Sequence, residues 1–159
     1  MITLLEAQDD HYAWMLEGDD QVVLDGLRLP KGEIDSPAIV TLLRGVAASH
    51  RESGLCGMWL IVHGGVVVGS CGYMRPVAAG MAEIGYGVAP GWQRRGFASQ
   101  AVGALIAHAK SGGLNCLLAN TATANIPSQR VLAHHGFTQF GTLMDAEDGE
   151  LLRWRLEIV

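Results

Sequence analysis

The stretch from Glu83 to Gln100, EIGYGVAPGWQRRGFASQ, constrains the fold more than any other part of the chain. An apolar run ends at Pro90, and a loop bearing Gly91, Arg94, Arg95 and Gly96 follows. From Ala98 the period changes: Ala98, Ala101, Val102, Leu105, Ile106 and Ala109 recur at helical spacing until Gly112-Gly113 stops the helix. Residues 115–121 read as a strand again. Strand, helix, strand implies a right-handed crossover, so the strands at 82–89 and 115–121 are predicted to be parallel neighbours.

The flanking segments fit around this unit. Residues 1–5 read as a short strand, and Asp9 or Asp10 can cap a helix running to Glu17. The acidic stretch 18–35, with Pro30 and Gly32, reads as a loop or broken helix. Ser36-Pro37 gives a cap followed by Pro at the first helical position, and Ile39, Val40, Leu43, Val46 and Ala47 form the apolar face of a helix to about Glu52. Two β-branched runs, 56–63 and 66–74, meet at Gly64-Gly65, a pair suited to a two-residue hairpin.

Asn125 can cap a helix with Pro127 in its first turn, ending at Gly136. Residues 137–144 and 151–159 then close as a hairpin around 145–149. The last strand alternates Leu152, Trp154, Leu156 and Ile158 against Arg153, Arg155 and Glu157, one face core and one face wet. The prediction is one α+β domain over 1–159 in three layers, a mixed, mostly antiparallel sheet with helices on both faces.

Charge and composition exclude several classes. At 159 residues, with 49% hydrophobic and 17% charged residues, the chain can bury a core, yet it has no apolar run of the roughly 20 residues a spanning helix needs. Met1 is followed directly by strand-like ITLL, which predicts no secretory leader. Cys56, Cys71 and Cys116 lack CxxC spacing and read as reduced thiols. The expectation is a cytoplasmic, metal-free protein with no membrane partner; a homodimer is compatible with it. The net charge of −5 argues against nucleic acid. Yet Ile84 to Met144 contains no Asp or Glu and holds Arg94, Arg95, Lys110 and Arg130.

That cationic segment centres on the loop, where a strand ends and a helix begins. Backbone amides and the helix dipole converge there on a spot suited to phosphate oxygens, with Gly96 permitting close approach. A P-loop requires GxxxxGK[ST], and no Lys follows Gly96. A dinucleotide fingerprint requires GxGxxG after the strand, but Gly85 and Gly87 lie within it, Gly91 falls one position late, and no acidic residue follows until Asp145. Taken alone, QRRGFA is equally an ordinary helix N-terminus with exposed arginines.

VAPGWQRRGFA at 88–98 resembles the acetyl-CoA signature of the Gcn5-related N-acetyltransferases, in which Val-x-Pro precedes Gln/Arg-x-x-Gly-x-Gly/Ala. NIPSQRVLAHHGF at 125–137 is similar to that family's helix beginning Asn-x-x-Ala/Ser and ending in Gly-Phe. IGYGV before the loop and NxPSxRVL after it look most like the subgroup that includes the acetylases of ribosomal-protein amino termini. The resemblance implies a splayed parallel strand pair and acetyl-CoA as acyl donor. It further implies pyrophosphate on the amides of Arg94, Arg95, Gly96, Phe97 and Ala98, flanked by Gln93 and Ser99, and pantetheine against Tyr86, Gly87 and Val88. Asn125 and Ser128 would contact the same cofactor.

The activity so implied is acetyl transfer to a primary amine, on a small molecule or a protein N-terminus, by direct attack in a ternary complex. Glu83, the one carboxylate of the central strand, is the candidate base, since an apolar setting could raise its pKa. Its alternative is a solvated carboxylate. Many relatives carry a Tyr acid in the last helix, but the matching position here is Leu132, which leaves Ser128 as the substitute. His134 and His135 read as exposed residues at the helix end. Glu17, Asp19, Asp20, Asp25, Glu33 and Asp35 on one side, and Asp145, Glu147, Asp148 and Glu150 on the other, suggest a cationic acceptor. An acyl-CoA-binding module without turnover is the alternative that the missing Tyr keeps open.

Overall fold

A computed structural model describes residues 1–32 and 34–158, so Glu33 of the acidic loop and the final Val159 lie outside the described residues. The elements follow the chain as β1 (Thr3–Glu6), α1 (Asp9–Glu17), α2 (Pro37–Glu52), β2 (Met58–His63), β3 (Val66–Tyr73) and β4 (Met81–Val88). A 3-10 turn (Pro90–Trp92) leads to α3 (Phe97–Ser111), β5 (Cys116–Ala122), α4 (Ile126–His134), β6 (Thr138–Asp145) and β7 (Gly149–Glu157). The strands form one sheet in the order β1-β2-β3-β4-β5-β7-β6, antiparallel except where β4 meets β5. This is the expected mixed, mostly antiparallel sheet. No helix among the described residues is long and apolar enough to cross a membrane.

Strand alternation sends side chains to two cores. Trp59, Ile61, Ala82, Ile84, Leu117 and Ala119 pack with Ala101, Val102 and Leu105 of α3 and Leu132 of α4. Met58, Leu60 and Val67 pack on the other face with Tyr12 of α1 and Val40, Leu43 and Ala47 of α2. Helices therefore cover both faces, as predicted.

Local chemistry explains most boundaries. Ser36 Oγ accepts from the Ile39 amide at 3.3 Å, so the Ser-Pro start of α2 is as expected. Gly64 and Gly65 take φ of 55° and 76° and turn β2 into β3, a conformation that β-carbon sterics penalise for other residues. Two expectations need correction. Neither Asp9 nor Asp10 caps α1: both fall in its first turn, where their charge meets the helix dipole, and Gln8 precedes them. Its amide donates to His11 Nδ1 at 2.9 Å, while Asp9 takes a bidentate contact from Arg44 that ties α1 to α2. Ile39 is 42% exposed and lies off the buried stripe of α2, because that stripe is completed one turn further on by His50, whose ring meets the Tyr73 carbonyl.

The feature that shapes the site is where β4 leaves β5. Their pairing runs from Met81↔Cys116 to Ile84↔Ala119 and stops, although β4 continues to Val88 and β5 to Ala122. On its other side β4 stays paired with β3 up to Gly69↔Val88. The approach there is close: a methyl carbon placed on Gly69 would lie 2.1 Å from the Gly87 carbonyl oxygen. Gly69→Ala is therefore expected to push β4 out of register at its splayed end and to cost about 1–3 kcal/mol, read as a lower midpoint in urea. An unchanged midpoint would show that β4 can move aside without penalty.

Candidate active site

Beyond Ile84 the strand exposes backbone to a cleft. The Glu83 carbonyl accepts from Met74 and the Ala89 amide donates to Val68, so residues of this parity face β3. By alternation the polar groups of Tyr86 and Val88 face the side that β5 has vacated. The Val88 carbonyl is met there by Gln93 Nε2 at 3.0 Å, which uses the Gln93 side chain to fasten the loop to the strand. The remaining strand groups would be costly to bury unmet.

The cleft measures about 410 Å³ and is lined by Tyr86, Gly87, Val88, Gln93, Arg94, Gly96, Phe97, Ala98, Ser99, Asn125 and Ser128, with Trp92, Pro127 and Val131. Thus eleven of the twelve residues expected at the cofactor line one space; the exception is Arg95. Its guanidinium carbon sits 4.7 Å from the centre of the Trp92 ring, a cation–π contact outside the cleft lining. Trp92 itself, with Pro127 and Val131, was missed by the sequence reading, and an aromatic within the loop was the available signal.

The loop turns sharply at two left-handed residues, Arg94 at φ 64° and Gly96 at φ 78°, the latter serving as N-cap of α3. The cap offers no side-chain acceptor, so the first-turn amides of Phe97 and Ala98 begin without partners and with the positive helix end behind them. Phe97 is buried, its ring packed beside those of His63 and Trp92. Ser99 Oγ pairs with His135 Nε2 at 2.9 Å, linking α3 to the end of α4. His135 is accordingly half-buried rather than exposed as expected, whereas His134 is exposed.

On the opposite wall Asn125 Oδ1 accepts from the Ser128 amide at 3.2 Å and caps α4. Ser128 Oγ lies 2.6 Å from the Tyr86 hydroxyl, a strand-to-helix pair that joins both walls. Burial raises the Tyr86 hydroxyl pKa, and its bond to Ser128 opposes that rise. Leu132 is fully buried in the core beneath, out of the cleft lining.

Glu83 departs from its expected surroundings. It is absent from the cleft lining and its setting is polar: Oε2 accepts from Arg75 Nε at 2.8 Å, and Oε1 accepts from Asn120 Nδ2 at 2.5 Å. Of the acidic residues expected near the acceptor, Glu17, Asp20 and Asp35 line a separate cavity between α1 and the start of α2. Asp25 lies 3.3 Å from His11 Nε2, and Asp145 is held below the usual range by the Asp148 and Glu147 amides.

A family model described as an acetyltransferase (GNAT) domain matches residues 2–138. No curated protein matches the chain in sequence. Among solved structures, RimJ of Mycobacterium smegmatis in complex with CoA-disulfide is 25% identical, with a TM-score of 0.71 over 98% of this chain and 81% of that one. RimL, the ribosomal L7/L12 alpha-N-protein acetyltransferase solved with coenzyme A, is 20% identical, with a TM-score of 0.74 over 99% and 94%. The microcin C7 self-immunity acetyltransferase MccE, solved with acetyl-CoA and AMP, is 16% identical, with a TM-score of 0.72 over 99% and 92%. RimJ and RimL agree with the subgroup resemblance of the sequence, and the family model spans most of the chain, which belongs to the GNAT acetyltransferases and is an acyltransferase.

Proposed function

We propose that the chain is a single N-acetyltransferase domain that moves an acetyl group from acetyl-CoA to a primary amine by direct attack. The observation that carries this is the parting of β4 from β5 beside the N-terminus of α3, which leaves one cleft lined by the unpaired end of β4 and by the loop that bears Arg94 and Gly96. Acetyl-CoA supplies an acetyl group activated as a thioester. Arg94 and the amides from Gly96 to Ala98 hold its pyrophosphate, the charge-assisted bonds of Arg94 adding to the helix dipole. The amide-bearing pantetheine arm is matched by the strand groups of Tyr86 and Val88, as an added strand would be. Those amides also donate to the carbonyl oxygen as negative charge builds on it. Asn125 and Ser128 close the opposite wall.

Ser128 passes a proton to the departing sulfur, with Tyr86 behind it as proton source, in place of the acid that Leu132 lacks. Because a thiol has an ordinary pKa near 8.5, the leaving group needs only modest help. Ser128→Ala is expected to lower kcat about tenfold, below the usual range for general acids, with Tyr86→Phe similar and the double variant no worse than either. Additive losses would show that the two hydroxyls do not act as one unit.

Glu83 acts as a fixed anion: Arg75 and Asn120 hold its oxygens on the sheet face shared with Gly85 and Gly87, where its charge steadies a cationic nitrogen. No cysteine competes as nucleophile, since burial pushes the Cys71 thiol up to about 12 and the Cys56 thiol up to about 11, and raises the Cys116 thiol as well. The acceptor is a cationic amine, a protein N-terminus or a small molecule; RimL is named for such a terminus, and the acidic cavity favours positive charge. Thiol release from acetyl-CoA over a panel of alkylamines, diamines and short peptides with free N-termini tests the reading. Cofactor binding without release across that panel would leave only a binding module.

A further inference from the structure

We propose that Asp35, in the loop before α2, receives the proton of the attacking ammonium, an assignment that rests on the acetyl-transfer reading above. Two placements point to it. A β-carbon built on Gly87 would have a single described atom within 4 Å, Asp35 Oδ2 at 3.8 Å. Gly87 lies in the splayed part of β4, between Tyr86 and Val88, whose polar groups face the cofactor cleft. Glycine at this position leaves a gap under the carboxylate, so a proton-accepting group and the cleft lie on either side of one strand.

Asp35 also lines a cavity of about 320 Å³ with Glu17, Asp20, Leu29 and Ile34, and among the described residues no Lys, Arg or His lines it. Apolar walls with three carboxylates suit the body of a small cationic amine or the first residue of a peptide. Among the described hydrogen bonds none ends on Asp35, in contrast to Glu83, whose two oxygens are both engaged. Burial raises the Asp35 carboxyl above its ordinary range, which makes its ionised form a better base than an exposed aspartate. Among the described residues, Glu17 and Asp20, from the end of α1 and the loop after it, are the other titratable groups that line its cavity.

The step balances. One ammonium proton passes to Asp35, the freed nitrogen lone pair forms the new C–N bond, the C–S bond breaks as Ser128 protonates the sulfur, a second nitrogen proton restores the Tyr86–Ser128 pair, and the third stays on the amide product. Asp35 then returns its proton to solvent through the cavity. A base of this kind is effective only when ionised, so the rate rises as pH climbs through the Asp35 midpoint.

Asp35→Asn is expected to lower kcat/KM for amines about 100-fold near neutral pH, with the deficit shrinking at higher pH as free amine becomes available. Acetyl-CoA affinity should be unchanged. Because the folded state disfavours the ionised carboxylate, its stability falls as pH rises through the raised midpoint, so the variant should match or exceed wild type in Tm at neutral pH. Asp35→Glu should recover part of the rate. In the protein without acetyl-CoA, carbon-13 NMR of the Asp35 carboxyl should give a midpoint above the ordinary aspartate value, lowered by added n-butylammonium. Wild-type turnover and pH profile in Asp35→Asn, or a midpoint indifferent to the amine, overturns the assignment. Absence of thiol release by wild-type protein across the amine panel overturns the transferase reading instead, and the titration still decides whether Asp35 meets an amine.

Discussion

Arg94→Glu combined with Gly96→Asp is expected to weaken coenzyme A binding at least about 100-fold, or about 2.7 kcal/mol, in a protein that remains folded. The substitutions reverse the charge of the cleft at the place where α3 begins. Arg94 lines that cleft, and Gly96 is the cap whose φ of 78° turns the loop into the helix. A carboxylate at position 96 would occupy the amides itself, since Asp is a favoured N-cap acceptor, and would meet the pyrophosphate with like charge. Asp tolerates left-handed backbone better than most residues, so the cost to folding stays near 1 kcal/mol. Arg95→Glu serves as comparison, because Arg95 rests on Trp92 and should matter less. Calorimetric titration with coenzyme A measures the loss, and an unchanged Kd in the double variant would remove the loop from the cofactor site.

That contrast between two adjacent arginines shows where the sequence stops informing. Local rules locate the Ser36-Pro37 cap, the Gly64-Gly65 turn and the strand-to-helix switch after Pro90, because each depends on residues a few positions apart. They cannot say which way an Arg turns once the chain reverses at two left-handed residues. Glu83 illustrates the same boundary. An acidic residue in an apolar strand suggests a lonely carboxylate, but strand pairing brings Asn120 from β5 and Arg75 from the β3–β4 connection onto its oxygens. The Tyr86–Ser128 bond and the placement of Asp35 over Gly87 likewise join distant segments through the sheet. Ile39 failed for a simpler reason, since a stripe one residue too wide fits the period as well as the buried one does.

Position 132 carries the other large expected effect. Leu132 is fully buried in the core that Phe97, Ala101, Val102 and Leu105 build on α3, and it anchors the α4 helix whose first turn presents Asn125 and Ser128. Leu132→Ala would remove buried methyl groups and leave a cavity, at a cost of about 2–5 kcal/mol. For a chain of this size that is a fall in Tm of roughly 5–15 °C. Because the same helix carries one wall of the cleft, coenzyme A affinity should fall together with stability, and bound coenzyme A should restore part of the lost Tm. Leu132→Tyr separates packing from chemistry. If the absent phenol were all that the site lacked, this variant would gain activity; instead the larger ring meets a filled core, with overpacking expected to cost about 1–3 kcal/mol. A rise in kcat without loss of stability would mean that position 132 can reach the departing sulfur, and that the Tyr86–Ser128 pair is not the proton source.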